Sequence, residues 1–327
     1  MTALLIEARE EIWPLKQPFR ISRGSRTEAQ VVVVTVSDGK HTGHGEGVPI
    51  KRYNQNIASV LADIESFKSV HDLDRFKLPQ LLPPGAARNA LDCALWDLEA
   101  KRSGKRVWEL ADIPIIPEVE TSFTISLDSP EKMAASAKGN SNRPILKLKL
   151  GGDELDLQRV EAVHEAAPMS RLLIDANESW SPNHYQKIIP ALKKLGVELV
   201  EQPFPADADE FLERLDHPVP VCADESCHTT VDLPSLKNRY EVINVKLDKT
   251  GGLTEALGLC QRARETEFKL LIGCMVGTSL SMAPARLLAS AAEWVDLDGP
   301  LLLARDCDHA LPYKNGRIGI PPRELWG

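Results

Sequence analysis

Lys147 and Lys149 stand at alternate positions of an otherwise apolar run, Ile145 to Leu150 (ILKLKL). Side chains of a strand alternate between its faces, so both ammonium groups point the same way. Three acids follow, Asp175, Glu201 and Asp224, each closing an apolar run, and Lys246 closes another. Taken singly, each acid reads as a helix cap or the partner of a distant arginine. Together they repel one another unless a cation sits among them. Hard oxygen donors with room for water suit Mg²⁺, with Mn²⁺ as a possible substitute.

The elements that must position these residues form a regular series. From about residue 118 onward, eight short apolar runs alternate with helical patterns such as DELDLQRVEAVHEAA, SPNHYQKIIPALKKLG and GGLTEALGLCQRARET. The polar residues near the ends of the runs are Thr124, Lys149, Asp175, Glu201, Asp224, Lys246, Cys274 and Asp298, separated by 25, 26, 26, 23, 22, 28 and 24 residues. One strand-helix step takes about that length, and eight steps predict a (β/α) barrel with its active site at the C-terminal strand ends. Lys149 and Lys246, on the second and sixth strands, then lie diametrically opposite, with the acids between them on one side. A substrate carboxylate held on the metal has a lysine on each face of its α-carbon. One lysine removes a proton and the other delivers one, the geometry for inverting a stereocentre. Lys147 adds positive charge beside the carboxylate and pushes Lys149 down from the usual lysine value of ~10.4.

The first hundred residues follow a different rhythm. An apolar strand from Gln30 to Val36, the turn SDGK and a return strand read as a hairpin. GAARNALDCALWDLEAKRSG reads as a helix with Ala90, Leu91, Ala94, Leu95 and Leu98 on one stripe and Gly104 as its stop. Gly43, Gly45 and Gly47 lie within the hairpin and so are not a phosphate loop. The expected architecture is α/β: an α+β capping domain over 1–115, a (β/α)7β TIM-like barrel over 116–305, and a segment over 306–327 that returns to the capping domain.

With 327 residues and a formal net charge of −8, the chain lacks the cationic surplus that nucleic acid or an anionic membrane attracts. The N-terminal stretch has no signal-peptide pattern, no run of ~18 apolar residues exists, and the six cysteines form no C-x-x-C pair. These features predict a cytoplasmic protein with reduced thiols.

The motifs K-x-K at Lys147–Lys149, D-A-N at Asp175–Asn177, EQP at Glu201, ADES at Asp224 and VKLDKTGG at Lys246 resemble the enolase superfamily, in its muconate-lactonizing-enzyme-like subgroup. That superfamily pairs a lysine or histidine base with a Mg²⁺-stabilised enediolate, as the general case is usually stated. Within it, PFRISRGSRTEAQVVVV, DANESW, CADESCHT and VDLDGP look like the dipeptide epimerases acting on L-Ala-D/L-Glu. The resemblance implies 1,1-proton transfer at the C-terminal residue of a dipeptide, Mg²⁺ on Asp175, Glu201 and Asp224 with Asn177 behind them, and a place in recycling cell-wall peptides. Asp296 and Asp298 share a face on the eighth strand, on the side away from the metal. They suit a dipeptide's α-ammonium and match the family's D-x-D. Among Arg20, Arg23 and Arg26 in the RISRGSR loop, Arg23 is the choice to clamp a glutamate side chain. Thr124 is expected to hydrogen-bond substrate, and Cys274 and Met275 to line the pocket. Cys274 has no histidine partner in view and is not expected to be a nucleophile.

A cycloisomerase or o-succinylbenzoate synthase would use the same lysines and metal, but its substrate carries no ammonium for the strand-eight acids. A metal-dependent barrel hydrolase usually needs histidine ligands, and the chain has neither H-x-H nor H-E-x-x-H. A binding protein that has lost activity would have no need of the complete lysine–acid set.

Overall fold

The computed structural model describes residues 4–70 and 73–327; residues 1–3, the head of the N-terminal stretch, lie outside it. The chain begins with a three-stranded antiparallel sheet, β1 (Leu5–Ile21), β2 (Gly24–Ser37) and β3 (Thr42–Gly47). β2 and β3 are the expected hairpin, closed by Asp38, whose Oδ1 accepts from the backbone of Lys40 and His41 at 2.9 and 2.7 Å. β1 is a strand that the hydrophobic pattern hides. It lies at the sheet edge, where most side chains are exposed and only Ile6 and Leu15 are buried. Charged residues therefore occupy both faces and erase the period of two. The RISRGSR segment is consequently not a loop: Arg20 lies in the last turn of the pleat of β1, Arg26 lies in β2, and Ser22 and Arg23 form the hairpin tip.

The helix Ala86–Ser103 crosses this sheet and ends at Gly104, whose φ of 70° suits glycine. Its expected apolar stripe packs against Val32, Val34 and Val36. The three alternate glycines of β3 explain the close approach. A Cβ at Gly43, Gly45 or Gly47 would overlap the carbonyl oxygens of Ala94, Ala90 and Ala86 respectively. Glycine at every second strand position thus meets alanine at every fourth helix position.

Eight parallel strands follow in sequential order: β5 (Phe123–Ile125), β6 (Ile145–Lys149), β7 (Arg171–Asp175), β8 (Leu199–Glu201), β9 (Val221–Ala223), β10 (Val242–Val245), β11 (Lys269–Gly273) and β12 (Trp294–Asp296). Ser122 N donates to Val295 O at 2.9 Å, joining the last strand to the first. Helices Pro130–Gly139, Asp156–Ala166, Pro182–Lys194, Leu253–Glu265 and Ser279–Leu287 cover the barrel. The links on either side of β9 are shorter, a 3-10 segment (Asp209–Arg214) and a one-turn helix (Leu233–Leu236).

Alternation sorts the strand residues. Ile145, Leu173, Leu199, Cys222, Val242, Leu271 and Trp294 form one apolar layer inside the barrel. Their neighbours, such as Leu146, Leu148, Leu172, Val200 and Ile243, face the helices. The first apolar run of the barrel region splits in two. Val119–Glu120 (β4) pairs with a C-terminal hairpin of β13 (Tyr313–Lys314) and β14 (Arg317–Ile318), and only Phe123–Ile125 enters the barrel. The chain then reaches the helix Ala86–Ser103, where Trp326 Nε1 donates to Cys93 O at 3.0 Å and Gly327 N to Asp97 Oδ1 at 2.8 Å. All six cysteines are free. Among the described residues, no helix is long and apolar enough to cross a membrane.

Candidate active site

Two residues beyond the apolar layer, the same strands turn polar. Lys149, Asp175 and Glu201 are register partners across β6, β7 and β8, and Asp224 follows β9 directly. One carboxylate oxygen from each of Asp175, Glu201 and Asp224 lies within 4.8 Å of the others, and all three residues are buried. Lys149 closes β6 and Lys246 follows β10, four strands away in a ring of eight, so they occupy opposite walls with the acids on the strands between. Lys149 Nζ contacts Asp175 Oδ2, and Lys246 Nζ lies 2.6 Å from Asp224 Oδ2 and 3.8 Å from Glu201 Oε1.

The charges are set by competition between burial and these lysines. Burial opposes ionisation of Asp175, but Lys149 and Lys147 override it and bring the group to about 2. Lys246 and Lys249 likewise overcome burial and hold Asp224 well below the usual carboxylate range. Glu201 goes the other way. Burial, with the neighbouring charge of Asp175, pushes it up to about 7. Lys246 pays for its own burial with Asp224 and Glu201, which keep it above the ordinary lysine range.

A divalent cation fits this donor set. Among the described residues, Glu201 Oε2 and Asp224 Oδ1 are buried and accept no well-directed hydrogen bond, although the ammonium groups of Lys147 and Lys249 stand 2.6 and 2.7 Å away. Three hard carboxylates with oxygens open to coordination match what Mg²⁺ takes.

The structure ties several of the expected residues to partners within the protein. Lys147, expected to add charge beside a substrate carboxylate, lies two residues before Lys149 on the same strand. It is 1% exposed, and its Nζ lies 2.7 Å from Asp296, 2.6 Å from Glu201 and 3.4 Å from Asp175. Against burial, Asp296 and then Glu201 hold it well above the ordinary lysine range, so its charge is committed to the acids. Asp296 is correspondingly not remote from the triad but one lysine away from it, and Ser122 Oγ also donates to it. Asp298 accepts from Thr124 N at 2.6 Å, and burial with the adjacent Asp296 raises it to about 6. Thr124 is thereby tied to Asp298 and is 6% exposed. Arg23 reaches over from the hairpin tip to Asn177 O at 2.8 Å, Glu178 Oε2 at 3.0 Å and Glu225 Oε1 at 2.7 Å. Its guanidinium is engaged by the barrel itself. Cys274 and Met275 follow β11 and are half-buried; Met275 packs on Val31, Val33 and Val48 of the N-terminal domain. Burial first, then Asp296, raises the Cys274 thiol far above its usual range, which leaves little thiolate.

Asn177 supports Asp175 through its backbone, its N–H donating to Oδ1 at 2.9 Å. That turn needs φ of 43° at Asn177 and 66° at Glu178, and Gln202, after Glu201, has φ of 35°. Left-handed backbone at three non-glycine residues beside the acids is local strain held by the surrounding packing. Gln202 Oε1 in turn accepts from Asp224 N at 2.8 Å and Ser226 N at 3.1 Å, fixing the next ligand's backbone.

The sequence reading misses Lys249, Asn244, Glu178 and Glu225. Lys249 Nζ binds Asp224 and also Asn244 O at 3.0 Å. Asn244 Nδ2 donates to Glu201 Oε1 at 2.8 Å. The signal for Asn244 is present: it stands two residues before Lys246 on a strand and shares its face.

An eight-stranded parallel barrel below an antiparallel N-terminal sheet, with three acids and opposed lysines at its mouth, defines an enolase-type enzyme, and the chain belongs to that superfamily. Residues 4–111 match the mandelate racemase / muconate lactonizing enzyme N-terminal domain, and residues 132–324 match the enolase C-terminal domain-like family. The chain is 45% identical over 319 residues to the L-Ala-D/L-Glu epimerase of Escherichia coli K12, covering 96% of this chain and 99% of that one. Its fold superposes with a TM-score of 0.96 on an enolase family member from Agrobacterium tumefaciens with homology to dipeptide epimerases. That structure holds sodium and L-Ala-L-Glu; the identity is 47%, over 99% of this chain and 100% of the other. A dipeptide epimerase from Enterococcus faecalis V583, complexed with Mg and L-Leu-L-Tyr, gives a TM-score of 0.91 at 29% identity over 98% and 97% of the two chains. The protein is accordingly an isomerase of the racemase and epimerase kind.

Proposed function

We propose that the enzyme epimerises dipeptides of the L-Ala-D/L-Glu type at the α-carbon of the C-terminal residue, by proton transfer between Lys149 and Lys246. The observation that carries this reading is the opposition of the two lysines across the barrel mouth, with the acid triad on the strands between them. Asp175, Glu201 and Asp224 would hold Mg²⁺. When bound, the cation supplies Lewis-acid stabilisation of the negative charge that gathers on the substrate carboxylate as its α-proton leaves. One lysine, neutral, accepts the α-proton from its face; the other, protonated, returns a proton from the opposite face. The roles exchange for the other stereoisomer.

Around that centre each group has a task. Lys147 fixes Glu201 and Asp296 relative to one another and stays charged beneath the reacting groups. Asp298 receives the substrate α-ammonium; Asp296, already neutralised by Lys147, supports it. Thr124 holds Asp298 in place. Arg23, at the hairpin tip, faces the C-terminal side chain, and Cys274 and Met275 close the wall between barrel and N-terminal domain. The kinship to enzymes named for this activity supports the substrate class.

Incubation of the enzyme and Mg²⁺ with L-Ala-L-Glu in deuterated water tests the reading. Deuterium should enter the C-terminal α-position as the D-epimer accumulates. Retention of protium there, with this dipeptide and with related ones, would exclude it.

A further inference from the structure

Arg23 is shared between two acids of the barrel that are held very differently. Glu178 is anchored. Its Oε1 accepts from Arg52 Nη2 at 3.0 Å and Ala206 N at 2.9 Å, and its Oε2 from Arg52 Nε at 2.9 Å and Arg23 Nη1 at 3.0 Å. Among the described residues Glu225 has a single side-chain partner, Arg23 Nη2, 2.7 Å from Oε1. Its Oε2 is buried with no hydrogen-bond partner among the described residues, and the residue is 6% exposed. One corner of the guanidinium therefore meets an acid fixed by three other donors. The remaining corner meets an acid to which no other hydrogen-bond donor among the described residues is aimed.

We propose that Glu225 is an internal stand-in for an acidic substrate side chain: it occupies the Arg23 edge that such a side chain would bind, and it must swing off for an acidic dipeptide to enter. Glu225 thereby sets the preference between acidic and neutral C-terminal side chains. The inference rests on the dipeptide epimerase reading.

The physical argument is one of exchange. A carboxylate on a guanidinium makes charge-assisted hydrogen bonds, roughly twice as strong as neutral ones, so an incoming carboxylate must displace an equal. Arg52 balances Glu178, so Arg23 and Glu225 form a neutral pair, and while Glu225 stays in place an entering carboxylate is a second anion on the same guanidinium edge. Arg23 itself does not move in the exchange, because Glu178 and Asn177 O keep hold of Nη1. A neutral side chain does not compete for that edge and leaves Glu225 in place. The enzyme thus restrains its own affinity for acidic substrates by an internal competitor.

The test compares kcat/KM for L-Ala-L-Glu and L-Ala-L-Leu in the full chain with Mg²⁺, for the parent enzyme and for Glu225→Gln. Glutamine keeps the shape and gives up the charge. The ratio of acidic to neutral kcat/KM should rise about tenfold, the scale of one lost charge-assisted bond, through KM for the acidic dipeptide. Glu225→Asp, with its carboxylate drawn back from Arg23, should move the ratio the same way by less. Because Glu225 adjoins Asp224, calorimetric affinities for the two dipeptides supply the same ratio where turnover is lost. A ratio that stays constant or falls in Glu225→Gln, while the parent enzyme epimerises both dipeptides, overturns this inference alone. A parent enzyme that exchanges neither α-proton overturns the epimerase reading, and this inference with it.

Discussion

Two sets of three buried carboxylates are held in opposite ways. At the barrel mouth, Asp175, Glu201 and Asp224 stand among Lys147, Lys149, Lys246 and Lys249. At the seam between the N-terminal domain and the barrel, Glu46, Asp92 and Asp248 are equally buried, and none is in a salt bridge among the described residues. Neutral donors satisfy them. Glu46 accepts from Thr278 N at 2.9 Å and Thr278 Oγ1, Asp92 from Thr254 N at 2.9 Å and Thr254 Oγ1 at 2.6 Å, and Asp248 from Val48 N at 2.8 Å and Asn89 Nδ2 at 2.9 Å. Burial dominates there and raises the three groups to about 7, 6 and 6. At the mouth, lysines keep Asp175 and Asp224 ionised. The comparison separates two uses of one residue type: seam acids join domains, and mouth acids present charge.

The largest expected effect comes from breaking the mouth set. Glu201→Gln removes the acid that burial, with the charge of Asp175, leaves least ionised, and Mg²⁺ binding measured by calorimetry should be lost. Epimerisation should fall at least ~10³-fold, since Lewis-acid stabilisation is worth several kcal/mol and each 1.4 kcal/mol is tenfold. Chelation should abolish turnover in the parent enzyme, and added Mg²⁺ should restore it. Full activity after exhaustive chelation would contradict the metal assignment.

Next in size are the lysines. Lys149→Ala and Lys246→Ala should each lower epimerisation by ~10²–10⁴-fold, the usual worth of a positioned acid or base. Each should also block α-deuterium exchange mainly from one stereoisomer, and not the same one. Equal residual exchange from both isomers in both variants would exclude the two-base scheme.

Much of this site is legible in the sequence because barrels convert chain periodicity into spatial convergence. Lys149, Asp175, Glu201, Asp224 and Lys246 close or follow their strands as the spacing requires. What stays hidden is partnership across the barrel. Nothing local tells that Lys147 is spent on Asp296, 149 residues away, or that Arg23 meets Glu225, 202 residues away. Edge strand β1 hides for a different reason: exposure on both faces leaves no alternation to read. The glycines at 43, 45 and 47 are visible in the sequence, but only the packed helix shows that they are spacers for Ala86, Ala90 and Ala94.

Asn244→Ala sharpens the comparison at the mouth by removing one neutral donor while sparing the lysines. Asn244 donates to Glu201, and its other amide atom, Oδ1, lies over Gly273, where a Cβ would collide with it. Loss of a hydrogen bond behind a metal ligand typically costs 10–100-fold in affinity. A shift of that size in the Mg²⁺ dissociation constant is expected, with a smaller change in KM for dipeptide at saturating metal. An unchanged metal affinity would mean that Lys147 and Lys246 orient Glu201 without Asn244.

The seam set should show itself in stability instead of turnover. Glu46 has an unfolded value of ~4.3 and a folded value raised by burial to about 7, so the folded chain binds the proton more tightly. For an acid shifted upward, the stability contributed by protonation is complete below the unfolded value. It is lost as pH rises through about 7. The loss is on the order of 3 kcal/mol, and Asp92 and Asp248 add to it as pH rises through about 6. Glu46→Gln keeps an acceptor for Thr278 N and a donor for Thr278 Oγ1 but carries no titrating proton. Melting temperatures of parent and variant should therefore agree near pH 4.5, diverge as pH rises to about 7 and stay apart by a constant amount above it, with the variant the more stable. Parallel melting curves across that range would show that Glu46 does not titrate in the fold, and the contrast between the two carboxylate sets would then lie in geometry alone.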